Sequence, residues 1–86
     1  MKGTLKNGFE FDIPDNRLDN MELVDALSEV EDNNPLAITK VANLMLGKEQ
    51  KKKLYDYLRT EKGNVPIQEA TQSLIEIMSF KKEGKN

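Results

Sequence analysis

The side chains of this chain best suited to chemistry are three serines, Ser28, Ser73 and Ser79, several acidic pairs, and the lysine run Lys48, Lys51, Lys52 and Lys53. A serine nucleophile needs a base beside it. The chain has no histidine and no cysteine, so the commonest catalytic base and the soft metal ligands are missing. The spacing puts each serine on a helix exterior or edge, and none in a strand-to-helix elbow. No enzymatic activity is expected, and no cofactor.

The acidic pairs are Asp25 with Glu29, four residues apart, and the adjacent Glu31-Asp32. An oxygen-ligand metal site needs several such groups converging, usually around a loop glycine. Asp32-Asn33-Asn34 has a superficial likeness to a calcium loop but lacks the glycine and the distant glutamate. These residues read better as the end of one helix and the capped start of the next, and no metal is expected. The lysine run is the best nucleic-acid candidate, and the turn at Gly47 between two helical patterns could pass for a helix-turn-helix. A reading helix, however, offers arginine, asparagine, glutamine or serine to base edges. The chain is acidic overall, at net −2, and meets phosphate with repulsion. The lysines read as a solvated face, with Glu49 and Lys53 spaced as a helical ion pair. A small DNA-binding or regulatory protein is the alternative reading, and nucleic acid is not an expected partner.

The elements that carry these residues must come from 86 residues with 37 % apolar and 33 % charged side chains. That is one small domain, burying roughly 60 % of its unfolded surface. Aromatics are few, so leucine, isoleucine, valine and methionine must fill the core. No apolar run approaches the roughly 18 residues of a membrane span. MKGTLKNGFEF has no apolar stretch after its lysine and does not read as a signal peptide. Without cysteine there is no disulfide framework, and cytoplasm is the expected compartment. The charge is unevenly placed. Residues 1–34 hold three basic and nine acidic side chains, residues 35–86 ten and six. That polarity, with spare apolar surface, leaves room for homo-oligomer formation.

Fold class is mainly α: about four short helices in one domain, residues 1–80, with an N-terminal β-hairpin and a disordered polar tail at 81–86. Asn7-Gly8 between Thr4–Lys6 and Phe9–Asp12 predicts the hairpin with a two-residue turn. Asp19 or Asn20 caps a first helix from Met21 to Glu31, with Leu23, Val24, Leu27 and Val30 inward and Glu22 placed for a capping box. Asn34 caps and Pro35 starts a second helix, running to Leu46 before Gly47 stops it. A third helix runs from Lys48 to about Thr60 with Leu54, Tyr57 and Leu58 inward and Tyr55 at its edge. Val65-Pro66 opens a fourth, with Ile67, Ala70, Leu74, Ile77 and Met78 at helical spacing and Phe80 at its close.

The second helix is apolar on nearly every side, only Thr39, Lys40 and Asn43 being polar. A helix apolar all round is buried all round, which a domain this small arranges with difficulty. Leu36, Val41, Leu44, Met45 and Tyr55 are therefore the candidate partner-binding residues. Leu23, Leu27, Leu58 and Leu74 are assigned to the core.

Several segments together resemble a family. They are Leu18-Asp19-Asn20-Met21-Glu22-Leu23, Asn34-Pro35-Leu36-Ala37, Leu46-Gly47-Lys48-Glu49-Gln50-Lys51-Lys52 with Leu54-Tyr55, and Gly63-Asn64-Val65-Pro66. In order and spacing they are similar to the tail assembly chaperones of long-tailed phages and prophages of Gram-positive bacteria, over about residues 9–80. The resemblance implies a non-enzymatic protein that binds the tape measure protein, a very long helical chain, and keeps it soluble while tail-tube subunits polymerise around it. It also implies life in the cytoplasm of the bacterial host and absence from the mature virion. A frameshifted longer form that recruits the tail tube protein is a further family expectation. Methionine among the contact residues would suit a partner whose side chains vary along its length.

Overall fold

The computed structural model describes residues 1–32 and 34–83. Two short strands, β1 (Lys2–Thr4) and β2 (Glu10–Asp12), precede a 3-10 turn at Asp15–Arg17 and three helices: α1 (Met21–Glu31), α2 (Ala37–Leu58) and α3 (Ile67–Glu83). The expected "about four" helices are thus three. Gly47, at φ 77° and ψ 172°, sits within α2 without a linker on either side. The positive φ expected of a helix stop is there, but the chain re-enters the helix at once. What results is a break joining two arms, 37–46 and 48–58.

The hairpin is antiparallel, with Gly3 opposite Phe11 and Thr4 opposite Glu10. That register puts Leu5 against Phe9, and Leu5 N–H donates to Phe9 O at 2.8 Å. The loop is therefore the three residues Lys6-Asn7-Gly8, not the two-residue Asn-Gly turn. Gly8 N–H closes a turn onto Leu5 O, with Gly8 itself at φ 98°. Asn7 Oδ1 accepts from Phe9 N–H at 2.9 Å and so takes the bond a tighter turn would have made. Leu5, Phe9 and Phe11 all turn inward and are buried.

α1 begins and ends where the pattern places it. Asn20 caps it, its Oδ1 accepting from Glu22 N–H at 3.0 Å. With Asn20 as the cap, Glu22 is the second helical residue and cannot close a capping box. Asn34 Oδ1 accepts from Leu36 N–H at 3.2 Å ahead of α2. α2 is central, packing against α1, α3 and the 3-10 turn. The core around it includes Leu18, Leu23, Ala26, Val41, Met45, Leu54, Leu74 and Ile77. Leu58 is buried and Leu27 half-buried against this cluster.

The hairpin lies on the helices through aromatic contacts. Phe9 meets Tyr57 with ring centroids 5.6 Å apart, and Phe11 meets Phe80 edge to face at 5.1 Å. Gly3 is required here, because a Cβ would stand 2.5 Å from Phe80 Cε2. α3 runs three residues past the expected close at Phe80. Of the tail expected at 81–86, residues 81–83 are helical and 84–86 lie outside the described residues, as does Asn33.

Candidate partner-binding surface

The five residues singled out for partner contact separate into three groups. Val41 and Met45 are 1 % and 0 % exposed and belong to the chain's own core. Val41, Ala42, Met45 and Leu46 of the arm 37–46 share one core cluster with residues of the hairpin, α1 and α3, so this small domain does bury them. This conformation withdraws Val41 and Met45 from any partner. Leu44 and Tyr55 are half-buried, Leu44 against the core cluster and Tyr55 under Lys51, whose Nζ lies 5.8 Å from the ring centroid. Leu36 stands apart, 84 % exposed at the head of α2. A leucine kept in water at that position forgoes about 1.5–3 kcal/mol of burial free energy.

Other exposed apolar side chains were not singled out by pattern. Met21 is 69 % and Val24 43 % exposed on α1, and Ile67 and Ile75 stand out from α3. The sequence pattern places Val24 and Tyr57 inward and Ile67 on the helical repeat of α3, but Tyr57, at 51 % exposed, stands half out of the core because its hydroxyl reaches the hairpin loop at Asn7 O. On α1 the inward side is set by Leu23, Ala26 and Val30. At about 100° per residue, Val24 turns well off that side. Weighting Ala26 as core would have exposed the difference.

Polar contacts concentrate where the hairpin loop meets the helices. Asn7 Nδ2 donates to Ser73 Oγ at 3.2 Å, and Ser73 Oγ donates to Glu69 O at 2.9 Å. Lys6 N–H donates to Glu76 Oε2 at 3.0 Å, and Tyr57 O–H donates to Asn7 O at 2.6 Å. Ser73 is buried rather than on a helix exterior. With both neighbours being an amide and a main-chain oxygen, its hydroxyl has no base and serves as a structural bridge.

Arg17 presents a second polar feature. A Cβ on Gly47 would lie 2.7 Å from Arg17 Nη1, and that buried nitrogen has no hydrogen-bond partner among the described residues. The guanidinium lies at the C-terminal end of the arm 37–46, where the helix dipole favours a cation without a directional bond.

The lysines are partly engaged. Lys52 Nζ bonds Asp56 Oδ2 at 3.0 Å, so the helical pair is Lys52–Asp56 and not Glu49–Lys53. Arg59 Nη2 joins the same carboxylate at 3.1 Å. Those two hydrogen bonds, Lys52's first and then Arg59's, hold the Asp56 carboxyl below its ordinary pKa. A cleft of about 520 Å³ opens between the hairpin and α2, edged by Lys2, Glu10, Gln50 and Lys53. Its rim mixes both charge signs. Among the described residues no three acidic side chains come together as a metal site requires. Likewise, no described helix is long and apolar enough to cross a membrane.

No protein-family model, no curated protein and no solved structure matches this chain. Its function therefore has to be argued from its own surface.

Proposed function

We propose that the chain is a non-enzymatic tail assembly chaperone that binds the tape measure protein of a long-tailed phage or prophage. The order of motifs along residues 9–80 suggests the family. The observation that carries the mechanism is Leu36, with αR backbone angles at the cap position just before α2 yet 84 % exposed, beside a core that buries Val41 and Met45. A leucine held out of the core at a fixed helix end is suited to cover an apolar stripe on a partner helix. Leu44 and Tyr55, half-buried on α2, give the partner further apolar edges. Each contact is small, so single-site affinity is modest, and many copies along one very long chain supply avidity.

In this reading the protein works in the host cytoplasm, leaves before the particle is complete, and recruits the tail tube protein through a longer frameshifted form.

The test is a pull-down from cells that also express the tape measure protein, comparing wild type with Leu36→Asp. Circular dichroism should be the same for both, since Leu36 is solvated. Wild type should retain the long chain and Leu36→Asp should lose most of it. Equal retention would remove Leu36 from the contact. No retention by either protein would remove the function.

A further inference from the structure

Among the described residues, the outer side of α1 is an apolar helix face without a partner. Met21 and Val24, three residues apart, are 69 % and 43 % exposed, and half-buried Leu27 extends the row. Alongside it, Glu22, Asp25 and Glu29 form a parallel stripe at helical spacing, all exposed, with Glu31 and Asp32 at the helix end. Four of the eleven residues of α1 are acidic and none is basic. Among the described residues, Glu22, Asp25, Glu29 and Glu31 form no ion pair.

This arrangement opposes the stability of the helix that bears it. Asp25 and Glu29 are like charges one turn apart, and Glu29 and Glu31 stand at the negative end of the helix dipole. Lysine or arginine at the last turn would suit α1 alone. A cationic partner would relieve both conflicts at once.

We infer that the outer face of α1 takes a basic amphipathic helix, whose apolar residues lie along Met21, Val24 and Leu27 and whose lysines or arginines meet Glu22, Asp25 and Glu29. Its identification with a segment of the tape measure protein rests on the function proposed above. The chemistry of the face does not. Helix-in-groove recognition supplies the apolar part, and charge complementarity supplies selectivity and encounter rate.

The experiment titrates the labelled full chain with two synthetic helical peptides of the same leucine pattern, one with lysine on the polar face and one with glutamate. The lysine peptide should bind, with amide shifts centred on 21–29, and binding should weaken at least about tenfold between about 50 and 500 mM salt. The glutamate peptide should not bind. The triple variant Glu22→Lys, Asp25→Lys, Glu29→Lys should fold, because all three side chains are exposed, and should lose the lysine peptide while gaining the glutamate one. Met21→Ser with Val24→Ser, keeping every charge, should also weaken the lysine peptide. Equal binding of both peptides, or shifts centred on α3, would overturn the inference. So would a wild-type oligomer that the triple variant converts to monomer, since the face would then belong to a second copy. Co-expression separates this inference from the chaperone reading. If wild type and triple variant keep the tape measure protein soluble equally well, the identification of the occupant with that protein fails and the reading stands. If neither keeps it soluble while the lysine peptide still binds α1, the reading fails and the inference stands.

Discussion

Tyr57 donates its phenolic hydroxyl to the main-chain oxygen of Asn7 at 2.6 Å, tying the hairpin loop to α2 across fifty positions of sequence. Its ring also lies against Phe9, so one half-exposed side chain secures the loop by two kinds of contact. Gly8 lies close by, where a Cβ would approach the Tyr57 oxygen to 2.6 Å. Tyr57→Phe keeps the ring contact and removes only the hydrogen bond. It should cost about 1 kcal/mol, read as a lower thermal midpoint by about 4–8 °C. Asn7→Ala keeps the main-chain oxygen that Tyr57 bonds but should cost more, since it removes two side-chain hydrogen bonds, to Phe9 N–H and Ser73 Oγ. A larger loss in Tyr57→Phe than in Asn7→Ala would contradict this ranking.

Gly47 has a backbone conformation, φ 77° and ψ 172°, that essentially only glycine adopts. Gly47→Ala adds a methyl group 2.7 Å from Arg17 Nη1 as well as backbone strain. The expected loss is about 1–3 kcal/mol in urea unfolding. Gly63→Ala is the control, because Gly63 also has positive φ but a Cβ there meets open space. Gly63→Ala should therefore cost less than Gly47→Ala, and the reverse order would remove Arg17 from the account.

Met45 and Leu36 make a second contrast, between two apolar residues of one sequence run. Met45→Ala empties space in the core and should cost about 2–5 kcal/mol. Leu36→Ser changes a solvated side chain and should stay within about 0.5 kcal/mol of wild type. Chemical denaturation at one temperature measures both. A large loss for Leu36→Ser would show Leu36 at work inside the fold.

Asp56 should titrate below the usual carboxylate value, because hydrogen bonds from Lys52 and Arg59 favour its charged form. For a carboxylate with a depressed folded pKa, the stabilisation is present above the unfolded value near about 3.9. It is lost as pH falls through the lower folded value. Carbon-detected NMR titration should show that low midpoint in wild type and a return toward the ordinary value in Lys52→Met. The site is at the surface, so the effect on overall stability should be small.

Local signals were readable in the sequence because their physics is local. Asn20 and Met21–Glu31 follow from a cap and a helical period, and Gly47 and Gly8 from the need for positive φ. The loop register was not readable. Asn7 makes a side-chain bond to Phe9 N–H that favours a three-residue loop, and the Asn-Gly pair alone does not distinguish the two. Nor was the burial of Val41 and Met45 readable from their own helix, since it depends on how α1 and α3 pack on α2 and on the hairpin residues that join the same core. The candidate surface was accordingly legible in part. Leu36 is exposed at the head of α2, while the exposure of Met21 and Val24 emerged only when the orientation of α1 was known.

The central claim is that this small chain keeps a very long helical partner in solution. Co-expression with the tape measure protein of the same genome, followed by clarification, affinity capture of the small chain and light scattering of the eluate, tests it most directly. The account predicts a soluble complex with several small chains on each long one. A tape measure protein that stays in the pellet, with the small chain eluting alone, would contradict it.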